Sequence, residues 1–597
     1  MTDTAVDPVE LSWDLSDLLG GDDEAAVDRF LDQARDSAAA ISAGCRLRVH
    51  ELDGPELVRV MQSMAEVQEL LGRAQSYAYL RFAADTSDPA NGARLQHVQE
   101  RSTAIGTTLV FFDVEWAALP DERVAALLET PGLEFARHHL ETARRYREHL
   151  LTEPEEKLLA EKQVTGAAAW GRLFGELLSS LDVAVGDETI TLEEALSRLA
   201  LPDRAVRKAT AEGITAALAP GLRTRAFVYN TLLHDKAVDD RLRRYEHWLA
   251  ERNLGNEASD ESVEALVSAV QGRYDLPQRW YRLKARLLGL ERLADYDRLA
   301  GVSDEDERIE WDEARGLVLD AYASFSPEMA SIAEEFFDRR WIDVPVRPGK
   351  QPGAFCMYTV PSVHPYVLLN WTSRRSDVVT LAHELGHGLH AYLSRPQGVF
   401  HQGTPLTLAE TASVFGETVT FGRLLERCET AESRLSLLAQ HLEGGIATVF
   451  RQTAMNRFEH LAHTARRTEG ELSVERLGEL WAESQAELFG DAVELTEGYR
   501  TWWSYIPHFV NVPGYVYAYS YGQLLALAVY RQYEEQGSDF VPRYLHLLSS
   551  GGSMAPEELG RIVGCDLADP GFWDGGLAII EQQLDAAETA AFEAGRL

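Results

Sequence analysis

The run Thr380-Leu-Ala-His383-Glu384-Leu-Gly-His387-Gly-Leu-His390 spaces two imidazoles and a carboxylate as metal-assisted hydrolysis requires. His383 and His387 are four residues apart. On a helix that is about 400° of rotation, so both face one side on adjacent turns and can hold one zinc ion. Glu384 stands about 100° round from His383. From there it reaches a water at the ion without being a ligand. Ser376 is the expected N-cap, and Asp377 suits the first helical turn. Val378, Val379, Leu381 and Ala382 bury the other sides. A helix buried all round keeps such polar groups only where something compensates them.

A catalytic zinc site takes three protein ligands and keeps one position open. The metzincin pattern would place Gly at position 390, and the residue there is His. His390 shares the face of His383 but lies about 10 Å along the axis, so packing or orienting is its expected role. A better third ligand lies in Leu406-Thr-Leu-Ala-Glu410-Thr-Ala-Ser413-Val-Phe-Gly-Glu417, read as a second helical segment. Glu410, Ser413 and Glu417 then fall on one face. The segment is otherwise small and apolar, so a cation would be the natural partner of Glu410. Thr407-x-x-Glu410 is also a capping-box pattern, which leaves a purely structural role open. Glu417 is the candidate for orienting a ligand histidine.

A third cluster runs from Tyr505-Ile-Pro-His508 through Tyr515-Val-Tyr517-Ala-Tyr519-Ser-Tyr521. As a strand it would present one face of phenols. As a helix it would pair Tyr515 with Tyr519, and Tyr517 with Tyr521. Imidazole and phenol donors suit the oxyanion of a tetrahedral intermediate. A tyrosine-rich packing helix is the alternative.

Most of what must position these groups reads as helix. Residues 24–43, 55–84 and 90–119 carry apolar residues at three- and four-residue spacing, punctuated by Pro55, Pro89 and Pro120. Between Trp341 and Asn370 that pattern stops. Short apolar runs bounded by Gly and Pro predict a small sheet there, and helix returns at Asp377. The 597 residues carry a net charge of −38, which argues against nucleic acid and anionic membranes as partners. Four scattered cysteines with no CxxC pair argue against a thiolate zinc site and a disulfide framework. The first ten residues lack the basic and apolar regions of a secretory signal, and no run approaches the ~18 apolar residues of a membrane span. A cytoplasmic enzyme is expected.

Taken in order, the motifs resemble the oligoendopeptidase F family and, more distantly, thimet oligopeptidase. They include Trp13-Asp-Leu-Ser-Asp-Leu, Pro348-Gly-Lys-Gln-Pro-Gly-Ala-Phe-Cys356, the His383–His390 run, Glu410-Thr-Ala-Ser-Val-Phe-Gly-Glu417, and Pro507-His-Phe before the tyrosines. The resemblance implies a mostly α, two-lobed, zincin-like metallopeptidase with a small β-sheet beside the zinc helix and a deep substrate channel. It implies an N-terminal helical region over 1–120, a helical oligopeptidase-type region over 121–200 and a catalytic domain over 201–597. One Zn2+ per chain would be held by His383, His387 and Glu410, with Glu384 as general base. His508 and the phenols of Tyr515 and Tyr519 would contact the oxyanion. Tyr517 is the rival, because Val512-Pro-Gly intervenes between His508 and the first tyrosine. The edge strand near 353–356 would bind substrate by strand addition. The expected activity is hydrolysis of internal bonds in short unstructured peptides, by a monomer or small homo-oligomer.

Overall fold

Asp53 opens one of the long N-terminal helices. Its carboxylate accepts the Glu56 N–H at 2.8 Å, and Glu56 accepts the Asp53 N–H at 3.0 Å. Pro55 and Pro89 sit in first turns, where a missing N–H costs nothing. The resulting helices are Ala26–Cys45, Gly54–Ala84 and Pro89–Ala117, each within a few residues of its sequence expectation. The computed structural model describes residues 11–21, 23–303, 308–569 and 571–597; the Met1–Glu10 stretch read above lies outside them. The chain is mostly helical with small sheets. No helix among the described residues is long and apolar enough to cross a membrane.

The chain divides into two compact units. The first comprises Met1–Leu150, Asp306–Glu426 and Val529–Asp566. The second comprises Leu151–Glu305, Arg427–Ala528 and Leu567–Leu597.

In the first unit the three N-terminal helices close on a core that includes Met61, Phe112, Trp116 and Leu140. A three-stranded sheet follows, made of β1 (Ile342–Pro345), β2 (Phe355–Met357) and β3 (Tyr366–Trp371). Its order is β1-β3-β2, with β1 parallel and β2 antiparallel to β3. Cys356 stands opposite Val367, and Phe355 opposite Leu368. Lys350 explains the Gly-Lys-Gln-Pro-Gly turn. Its buried ammonium donates to the carbonyls of Pro345 at 2.8 Å and Leu369 at 2.5 Å and pairs with Asp343. Trp13 lies edge-on to Tyr366 at 6.1 Å, and Val344 N–H bonds Leu11 O, so the N-terminal motif is fastened to this sheet.

Helix α1 (Arg375–Ser394) packs under the sheet and carries the His383 motif. It starts before the expected N-cap. Ser376 is already inside the first turn, and Asp377 reaches back to accept the N–H groups of Thr372 at 2.7 Å and Arg374 at 3.1 Å. A carboxylate with that reach does the capping, and Ser376 is not needed for it. The 406–417 segment is not one helix either. A four-residue helix, Leu406–Ala409, ends at Glu410, and α2 (Ser413–Glu426) begins after it. The Ser413 hydroxyl spans the break, bonding Glu410 Oε2 at 2.6 Å.

α1 and α2 cross at glycines. A Cβ at Gly386 would strike Ala412 O and lie 2.6 Å from Ser413 Cα. One at Gly416 would strike the Tyr322 hydroxyl and lie 3.0 Å from Ala382 O.

The second unit is built on an aromatic core of Tyr229, Phe458, Trp481, Trp503 and Phe509. Helix α3 (Gln452–Glu469) runs through it, preceded by a π-helical stretch, Ile446–Arg451. A short α4 (His508–Asn511) leads into α5 (Tyr517–Gln536), which belongs to this unit as far as Ala528. Ser520 Oγ seats α5 on that stretch by bonding Val449 O at 2.8 Å. A hairpin of Asp182–Val185 and Glu188–Thr191 adds a small sheet of its own.

The glycine crossing predicts opposite outcomes for two alanines in α2. Gly416→Ala is expected to lower the unfolding free energy by about 1–3 kcal/mol through overpacking. Gly422→Ala, whose Cβ meets nothing within 4 Å, should leave it unchanged or raise it by up to about 1 kcal/mol. Urea unfolding beside the wild type measures both; equal midpoints would contradict the described approach of α1 and α2.

Candidate active site

Four-residue spacing on α1 brings the rings of His383 and His387 to 4.9 Å between centroids. The break at Glu410 then swings its carboxylate toward them. Glu410 Oε2 lies 3.4 Å from His383 Nε2 and 3.5 Å from His387 Nε2. One ligand atom from each residue lies within 4.8 Å of the others, and this is the one such group of three or more among the described residues. An ion with bonds of about 2.0–2.1 Å in a tetrahedron separates its ligands by about 3.3–3.4 Å. The donor set and the spacing therefore fit a zinc-sized cation. His390 does not join them. It is buried beside Tyr358, its ring 6.5 Å away, and its Nδ1 has no hydrogen-bond partner among the described residues.

The surroundings explain the charge states. Glu417 Oε2 lies 3.3 Å from His383 Nδ1, on the side of the ring away from Glu410. Burial disfavours a charge on His383, but the Glu417 hydrogen bond and the charges of Glu410, Glu384 and Glu417 outweigh it and raise the ring to about 9. For His387 burial wins over Glu410, and the ring falls to about 4. Burial opposes ionisation of Glu410, yet the charges of His387 and His383 and the Ser413 hydroxyl hold it low. The raised His383 thus favours its protonated form between the carboxylates of Glu410 and Glu417.

Glu384 is 7% exposed. Burial, helped by the charge on Glu410, pushes it up to about 7. It opens on a cavity of about 390 Å3 lined by Phe355, Cys356, Tyr358, His387 and Thr404 among others. Tyr358 and Cys356 were not picked out in the sequence as site residues. Both thiol and phenol are raised, first by burial and then by neighbouring charges that include Glu384. The signal for Cys356 was the edge strand itself, which lies beside α1; Tyr358 follows just after the strand ends.

In the second unit His508, Tyr515 and Tyr519 come together. His508 Nε2 is 3.3 Å from the Tyr519 hydroxyl, and the Tyr515 ring lies 6.2 Å from His508 and 5.1 Å from Tyr519. Burial lowers His508. Tyr517 and Tyr521 turn the other way. Their hydroxyls are buried against Asn256 and Ser262, both at 2.9 Å.

Two measurements follow from the electrostatics. Glu417→Gln is expected to weaken metal retention about 10–100-fold, read by chelator competition, because the ring it orients loses its carboxylate partner. Metal uptake must also displace the His383 proton. Affinity should rise about tenfold per pH unit up to about pH 9 and then level off; a flat profile between about pH 6.5 and 8.5 would show that His383 is not the protonated ligand.

Residues 198–579 match the sequence profile of Peptidase family M3, and residues 115–182 that of Oligopeptidase F. Oligopeptidase PepF of Bacillus subtilis is 28% identical over 535 residues, covering 88% of this chain and 79% of its own. Group B oligopeptidase PepB of Streptococcus agalactiae is 28% identical over 590 residues, covering 96% of each. A solved structure from Chlamydophila abortus has a TM-score of 0.86 at 23% identity and covers 98% of this chain and 99% of its own. Oligoendopeptidase-F from Enterococcus faecium has a TM-score of 0.70 at 23% identity, with 94% and 97% covered. The structures share the fold, and the profile match spans more than half of the sequence. The chain belongs to peptidase family M3 and is a metalloendopeptidase.

Proposed function

We propose that the protein is a zinc-dependent endopeptidase that cuts internal bonds of short, unstructured peptides. His383, His387 and Glu410 are the ligands in this reading, and Glu384 is the general base. The observation that carries it is the convergence of His383 Nε2 and His387 Nε2 on Glu410 Oε2, beside a cavity that Glu384 lines. Two imidazoles and a carboxylate in a tetrahedral spacing favour zinc. Zinc bound there would supply a Lewis acid that polarises the scissile carbonyl and acidifies a water.

The chain's own groups do the rest. Glu384 takes the proton of the attacking water and returns it to the leaving amine. Burial pushes its pKa toward neutrality, and a cation beside it favours the ionised form that a base needs. Glu417 holds His383 by Nδ1, so that Nε2 keeps its lone pair for the ion. We assign His508, Tyr515 and Tyr519 as donors to the developing oxyanion, on their chemistry and their mutual contact. The edge strand β2, which pairs only with β3 among the described residues, offers backbone groups to an extended peptide. A cytoplasmic setting accords with four cysteines that form no disulfide.

The test is a mixture of short unstructured peptides, with products read by mass spectrometry for the wild type and Glu384→Gln. Internal cuts by the wild type are expected. The variant should keep its zinc and lose about 10²–10⁴-fold in kcat. Trimming from the C-terminus alone would replace the endopeptidase reading with a carboxypeptidase, and loss of zinc from Glu384→Gln would remove the base assignment.

A further inference from the structure

Glu459 is a carboxyl with 0% exposure in the aromatic core of the second unit. Its neighbour Phe458 packs on Phe509 at 5.0 Å and on Trp481 at 5.4 Å. A buried carboxyl in such surroundings is costly and calls for a reason. Burial pushes Glu459 up to about 8, against the pull of the Gly514 hydrogen bond and Arg252. Its Oε2 has no hydrogen-bond partner among the described residues. Its Oε1 accepts the Gly514 N–H at 2.9 Å. That bond is what the side chain does in the fold, and its far end is the turn between His508 and Tyr515.

The turn is tight. Val512 N–H bonds His508 O at 3.0 Å, and Tyr515 N–H bonds Val512 O at 3.1 Å. Gly514 has a φ of +72°, and a Cβ there would lie 2.7 Å from Leu249 Cδ1, so both conformation and space ask for glycine. Arg252 donates to Pro513 O at 3.4 Å. At the other end Phe509, next to His508, is the ring that Phe458 holds. Two consecutive residues of α3 therefore fasten both ends of the 508–515 segment, Phe458 by packing and Glu459 by a hydrogen bond.

We infer that Glu459 is a positioning residue for the His508, Tyr515 and Tyr519 cluster, holding the Gly514 turn so that the imidazole and the two phenols keep one arrangement. It acts through the Gly514 N–H. The inference rests on the assignment of those three side chains to the oxyanion.

The zinc-loaded enzyme tests it on one peptide substrate, with kcat and KM separated and with zinc content and circular dichroism checked for every variant. Glu459→Ala should lower kcat about 10–100-fold, the scale of a small misplacement of reacting groups, with KM changed less than about threefold. Glu459→Gln, whose carbonyl still accepts the Gly514 N–H, should restore kcat. Combined with Tyr519→Phe, Glu459→Ala should add little to the loss from Tyr519→Phe alone, because both act on one cluster. Gly514→Ala displaces the turn from the other side and should reproduce the loss; it decides the matter if Glu459→Ala does not fold. A folded, zinc-loaded Glu459→Ala with wild-type kcat overturns the inference. So does a Gln variant as slow as the Ala variant, or a double variant whose losses multiply in full. Wild-type kcat in both His508→Ala and Tyr519→Phe would instead overturn the assignment beneath it.

Discussion

The part of the structure that brings His383, His387 and Glu410 together depends on how closely two helices can approach. Helices with ordinary side chains at their contact stand about 8–10 Å apart. α1 and α2 come together at Gly386 and Gly416, each placed against backbone of the other helix. Ala412 and Ser413, which Gly386 faces, follow Glu410 by two and three residues. The clearance at one glycine thus sets where the carboxylate lands. Tyr322 fills the remaining space at Gly416, and its hydroxyl donates to Ala382 O at 2.7 Å. That bond holds α1 at the residue just before His383.

Charge follows from that packing. Glu384, Glu410 and Glu417 all stand close to His383 in a mostly buried setting. With both imidazoles neutral the group carries three negative charges, and a divalent cation offsets two of them. Without such an ion, a raised His383 supplies part of the balance with a proton. The same carboxylates that would hold a cation would therefore make its affinity depend on pH. The acidic charge of the whole chain plays no part in this, since net charge says nothing about where charge is buried.

The second unit handles its polar groups by a different division. On α5, alternate tyrosines part company because residues two apart on a helix face away from each other. Tyr517 and Tyr521 spend their hydroxyls on Asn256 and Ser262 and become core. Tyr519, with Tyr515 just before the helix, keeps company with His508. Ser520 between them is fully buried and tied to the π-helical stretch.

Local chemistry was legible in the sequence where it depends on short spacing. His383, Glu384 and His387 lie within one helical turn and a half, so helix geometry alone sets their relation. The three long N-terminal helices and the three short strands were legible for the same reason, since periodicity and Gly/Pro punctuation are local signals. Glu410 was found by its residue type in an apolar segment, but its helix was drawn as continuous and is broken at Glu410 itself. The N-cap at Ser376 was likewise misplaced, because Asp377 reaches back past it. Only tertiary structure decided that Gly386 and Gly416 are contact points, that Tyr517 is core, and that Glu459 reaches Gly514 from 55 residues away. Each of these is a meeting of backbone or buried polar atoms distant in the chain, and one-dimensional spacing carries no record of which distant surfaces will be pressed together.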